Sequence, residues 1–124
     1  MLTLRPADPV KIVAGVLWRR EDRWADARRL LVKTWGPTDL TRPSSAFTFT
    51  AYYDAEMGSG LRRSFVAFER PGRPERLADW KLAANRIERQ TAAEGRRTVN
   101  IDVGYLDYRR LVLASTKEGP RKIY

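Results

Sequence analysis

The period of the hydrophobic pattern switches from strand to helix twice along this chain, and no other feature constrains its fold as tightly. Val10–Trp18 is an apolar, β-rich run that reads as a central strand. From Glu21 to Trp35 the period becomes helical, with Trp24, Ala27, Leu31 and Trp35 on one face. Acidic Glu21 and Asp22 open that helix, Lys33 lies in its last turn and Gly36-Pro37 stops it, as the helix dipole and chain stiffness prefer. Residues 39–45 read as a loop, and residues 46–52 alternate apolar with polar as a half-buried strand does. A connector at 54–60 leads to another strand at 63–69, and Pro71-Gly72-Arg73-Pro74 breaks the pattern. The second switch follows. Residues 75–94 place Leu77, Trp80, Ala84 and Ile87 on one helical face, with Gly95 as the stop, and residues 98–103 alternate again.

The resulting order, β-α-β-β-α-β, predicts an α+β, ferredoxin-like domain: an antiparallel sheet with both helices on one face and the other face open. Trp24, Leu31, Trp80 and Ile87 are then core residues packed between helices and sheet, not ligand-stacking surfaces. Leu111-Val112-Leu113-Ala114 adds a fifth strand, with a short helix as the alternative. Glu118-Gly119-Pro120 marks a turn, after which Arg121-Lys122-Ile123-Tyr124 reads as the start of another strand. The expectation is one domain over residues 1–124, with a final hairpin cut short and a truncated or divergent C-terminus.

At 124 residues a single domain buries roughly two-thirds of the surface its unfolded chain exposes, enough for a core without staples. None are available, because the chain has no cysteine and no histidine. That excludes thiolate nucleophiles, cysteine zinc sites and imidazole acid–base chemistry. The N-terminus lacks the layout of a signal peptide, and the longest apolar run, residues 12–18, falls far short of a membrane span. A cytoplasmic protein without membrane association is the expectation. The formal charge of +9 favours anionic partners through long-range steering. Nineteen of the 24 basic residues are arginine, a skew that GC-rich coding also produces, and they are scattered along the chain.

The familiar catalytic motifs are incomplete. Gly58-Ser59-Gly60 lacks the third glycine of a dinucleotide loop and precedes a strand instead of a helix. Ser115-Thr116-Lys117 lacks the spacing of a serine–lysine acyl enzyme. Phe65-Val66-Ala67-Phe68 matches part of an RNA-recognition motif, but Arg63 and Val13 stand where stacking aromatics belong. Two groupings carry chemistry. Asp54 and Glu56 in the connector, with Asn100 and Asp102 on one face of the last strand, offer oxygen ligands for Mg²⁺ or an acid–base pair; an acidic connector beside a solvated strand face reads equally well. Arg62, Arg63, Arg96 and Arg97, with Tyr52 and Asn100, offer a surface for nucleic acid or a nucleotide. The binding reading is preferred over an enzyme acting on a phosphorylated or anionic small molecule. A structural subunit that assembles through an exposed C-terminal strand edge is the third reading.

Several segments resemble a bacterial family of unknown function, the domain-of-unknown-function family numbered 4416. They are Pro9-Val10-Lys11, Gly36-Pro37-Thr38-Asp39-Leu40, residues 49–61 around Tyr52-Tyr53-Asp54-Ala55-Glu56-Met57-Gly58, Phe65-Val66-Ala67-Phe68-Glu69, residues 95–106 around Asn100-Ile101-Asp102, and residues 111–117. The resemblance covers nearly the whole chain in order and implies membership without an activity. Val103 departs from the family's usual proline, and family members usually continue past the Arg-Lys-Ile-Tyr region.

Overall fold

The computed structural model describes residues 8–48, 52–107, 110–114 and 122–123. Along the chain run β1 (Val10–Trp18), α1 (Glu21–Trp35), β2 (Thr38–Ala46), α2 (Asp54–Met57), β3 (Arg62–Gly72) and a 3₁₀ turn (Pro74–Arg76). They are followed by α3 (Leu77–Gln90), β4 (Val99–Leu106), β5 (Leu111–Ala114) and β6 (Lys122–Ile123). The chain is α+β. Its six strands form one sheet in the order β2-β3-β1-β4-β5-β6. β1 pairs antiparallel with both β3 and β4, β2 pairs antiparallel with β3, and β5 with β4. No helix among the described residues is long and apolar enough to cross a membrane.

β1 lies inside the sheet, which explains its unbroken apolar composition. Val10, Ile12, Ala14, Val16 and Trp18 point toward the helices and join Ala27, Leu31 and Trp35 of α1 and Leu77, Trp80, Ala84 and Ile87 of α3 in one core. Val66 and Phe68 of β3 and Val99, Ile101, Val103 and Tyr105 of β4 complete it. Fully buried Trp18 stacks on Trp24, ring centroids 6.1 Å apart and planes 5° from parallel, and its indole N–H donates to Ser64 Oγ at 3.0 Å. The tryptophans therefore act as packing groups. At Gly72 an added Cβ would come within 2.6 Å of both Ile12 and Trp80, so that position must stay bare for β3 to pass beneath α3.

Four expectations are corrected. Residues 39–45 are not a loop: they form most of β2, a sheet-edge strand whose ladder with β3 shifts register between Thr38 and Leu40 and again between Arg42 and Ser45. Edge strands and bulges are where a sheet tolerates proline, so Pro43 is compatible with β2. The strand expected at 46–52 ends at Ala46. Residues 49–51 of that segment lie outside the described residues, and Tyr52-Tyr53 turns into α2. The second long helix ends at Gln90, where the Thr91 N–H reaches Ile87 O, so Gly95 is not its stop. Gly95 and Glu94 instead form the centre of a tight turn in which Ala93 and Arg96 exchange backbone hydrogen bonds, both 2.9 Å, and both central residues have positive φ. Finally, β6 pairs with β5 in parallel, not as the second arm of a hairpin.

The face away from the long helices is covered at one end. There Leu17, Met57 and Leu61 are buried together, with Phe47 and Tyr53 packed against them. Phe47 and residues 53–61 thus lie over the sheet beneath the end of β1.

Candidate anion-binding site

β1 and β4 are sheet neighbours, with Trp18 opposite Val99. The segment that leaves β1 and the segment that enters β4 therefore emerge side by side at the same end of the sheet. The first carries Arg19, Arg20 and, in the first turn of α1, Arg23; the second carries Arg96 and Arg97, held by the Ala93–Arg96 turn. Glu56, Met57 and Gly58 of the α2 segment form the third wall. Together these residues line a cleft of about 240 Å³. Its lining includes five arginines, Arg19, Arg20, Arg23, Arg96 and Arg97, and one acidic residue, Glu56.

Arg97 anchors the floor. Its Nε donates to both oxygens of Glu56 at 3.1 and 3.0 Å, one terminal nitrogen donates to Glu56 Oε1 at 2.8 Å, and the other donates to Asn100 Oδ1 at 2.7 Å. The Arg97 backbone N–H also donates to Glu56 Oε2 at 3.1 Å. Hydrogen bonding to Glu56, together with the nearby Glu88 charge and against a cost of burial, raises the guanidinium's pKa, so it stays charged throughout the biological range. Glu88 of α3 lies behind it, 3.8 Å from Arg97, and accepts the Ile101 N–H at 2.8 Å. Burial pushes the Glu88 carboxyl pKa up; the Ile101 N–H, Lys81 and Arg97 counter that, and Asp102 adds to it.

The other guanidiniums are less committed. Arg20 pairs with exposed Asp22 at 2.9 Å. Arg19, Arg23 and Arg96 have no carboxylate within ion-pair distance among the described residues, and Arg23 Nε is buried without a hydrogen-bond partner. A buried donor left unpaired costs about 1–3 kcal/mol, so that group seeks an acceptor. Arg19 runs over Gly58, whose φ is +87° and where an added Cβ would stand 3.0 Å from Arg19 Nε. The first glycine of Gly58-Ser59-Gly60 thus makes room for an arginine. Five cations on two adjoining segments, close to the N-terminal end of a 15-residue helix, produce a field that favours negative charge.

Of the residues expected from sequence, Glu56, Arg96, Arg97 and Asn100 come together here. The rest are placed elsewhere. Arg62 donates to the Ser44 hydroxyl at 2.9 Å and to its carbonyl at 3.1 Å, and Arg63 lies over the Phe47 ring at 5.9 Å. Tyr52 is 65% exposed and meets Tyr53 edge-on. Asp54 opens α2 and its carbonyl accepts the Gly58 N–H, while Asp102 faces Gly15 of β1. Among the described residues no group of three or more acidic side chains is placed to hold a metal ion. Arg19, Arg20 and Arg23 lie outside the sequence expectation and enter the cleft through the pairing of β1 with β4.

The family profile described as Domain of unknown function (DUF4416) matches residues 8–124. No curated protein and no solved structure matches the chain. The chain belongs to the DUF4416 family.

Proposed function

We propose that this chain is a binding module for a phosphate-bearing partner, a nucleotide or a nucleic acid, and that the arginine cleft is where the phosphate sits. The observation that carries the reading is convergence: five guanidiniums surround one small cleft, and three of them lack an ion-pair partner among the described residues. Guanidinium is suited to such a site because it stays charged and offers a planar fork of donors to phosphate oxygens. The scaffold is read as ferredoxin-like. The β2-β3-β1-β4 order, its antiparallel pairings and the shared core of α1 and α3 support that. An enzyme built on Glu56 is less well supported, because both oxygens of that carboxylate are engaged by Arg97.

Thermal unfolding with inorganic pyrophosphate, nucleotides and short RNA and DNA, at low and moderate salt, tests the proposal. A bound ligand at about 100 times its Kd stabilises by about 2.7 kcal/mol, which raises Tm by several degrees. The gain is expected to shrink steeply as salt rises and to vanish in the Arg23→Gln/Arg96→Gln double variant. No stabilisation by any of these ligands at low salt overturns the reading.

A further inference from the structure

We infer that the cleft is built for a compact, multiply charged phosphate, either a terminal phosphomonoester or a pyrophosphate group, and not for the phosphodiester backbone of a polynucleotide. This rests on the phosphate-binding reading above and narrows its ligand. Two observations carry it. The first is shape. A backbone tract is followed by basic residues strung along a groove, whereas here Arg19, Arg23, Arg96 and Arg97 line one small cleft. At about 240 Å³ that space is smaller than the clefts of roughly 300–1,000 Å³ that enclose whole drug-sized ligands, so it suits an end group.

The second is charge. The cleft already contains one anion, the Glu56 carboxylate, which takes two guanidinium donors of Arg97, Nε and one terminal nitrogen, in three contacts. An incoming ligand must be drawn in against that charge. A diester brings a single negative charge, whereas a monoester carries about −1.5 to −2 at neutral pH and so gains more from the same guanidiniums. Glu56 acts as an internal competitor that holds Arg97 in place until a stronger anion arrives.

The experiment measures fluorescence polarisation of one short labelled oligonucleotide carrying either a 5′-phosphate or a 5′-hydroxyl, with inorganic pyrophosphate as competitor. It uses the wild-type chain and the Glu56→Gln variant. The 5′-phosphorylated form is expected to bind at least about tenfold more tightly, pyrophosphate to displace it, and its affinity to fall below about pH 6 as the monoester dianion takes up a proton and becomes a monoanion. Glu56→Gln keeps an acceptor for Arg97 but removes the competing charge, so affinity for pyrophosphate is expected to rise about tenfold. Equal binding of the two oligonucleotides overturns this inference and leaves the phosphate-binding reading standing. Unchanged pyrophosphate affinity in a folded Glu56→Gln variant places the ligand outside the cleft and overturns it as well. No binding by any probe removes both.

Discussion

Trp18 carries an unusual load for one side chain. It ends β1, is essentially removed from solvent, stacks on Trp24 at the start of α1, and spends its only polar hydrogen on Ser64 of β3. The ring thereby fixes where the chain turns from strand to helix, and with it where Arg19 and Arg20 leave the sheet. Ser64, itself buried, is present on an otherwise apolar face because an indole N–H without an acceptor is costly there. Ser64→Ala strands that donor and is expected to destabilise the protein by about 1–3 kcal/mol in urea unfolding. A loss within a few tenths would show that the hydrogen bond does not hold the ring.

At the scale of elements, the turn that presents Arg96 and Arg97 is mismatched to its residues. Glu94 has φ of +54° and Gly95 φ of +73°, the conformation of the two-residue hairpin turn that favours Asn-Gly. Glycine takes that geometry freely, but glutamate is strained by about 1–2 kcal/mol. Glu94→Asn is therefore expected to stabilise the chain by about 1 kcal/mol, with Glu94→Ala giving no comparable gain because alanine meets the same clash. A calorimetric Tm comparison of the two variants checks this. The helices α1 and α3 are legible in the sequence because their apolar residues repeat with the period of a single buried face, and β1 because a strand buried on both faces is an unbroken apolar run. β2 is not: an edge strand has one partner, its bulges interrupt alternation, and Pro43 reads as a loop. The alternation of residues 46–52 misled for the complementary reason. Phe47 is drawn in by Leu17, Met57 and Leu61, and its N–H goes to Leu61 O, outside any strand. Half of the cleft shared this fate. Arg96, Arg97, Glu56 and Asn100 stood in recognisable segments, whereas Arg19, Arg20 and Arg23 join them only through the pairing of β1 with β4, which spacing along the chain does not encode.

For the whole molecule, the +9 charge has a location as well as a size: part of it is concentrated at one end of the sheet, and Glu88 ties that end to global stability. Glu88 is 6% exposed, and its carboxyl pKa is raised mainly by burial, only partly offset by the Ile101 N–H, Lys81 and Arg97. In the unfolded chain the same group titrates at the ordinary glutamate value of about 4.3. Between that value and the higher folded one, the native state holds more of the proton than the unfolded state does. The stability this group contributes is thus fully present below about pH 4.3 and is lost as pH rises through the folded value. Glu88→Gln does not titrate. The difference in unfolding free energy, wild type minus variant, is therefore expected to fall as pH is raised from about 4.3, by about 1.4 kcal/mol for each unit of upward shift. Other carboxylates and the overall positive charge are common to both proteins and largely cancel in that difference. Urea titrations of the two chains at half-unit steps from pH 4 to 8 read it directly. A difference that stays flat would mean that the Ile101 N–H and the arginine beside it fully offset burial. One that rises with pH would mean that the Arg97 field outweighs burial, making Glu88 an ionic partner of the cleft and not a carboxyl held against its own desolvation.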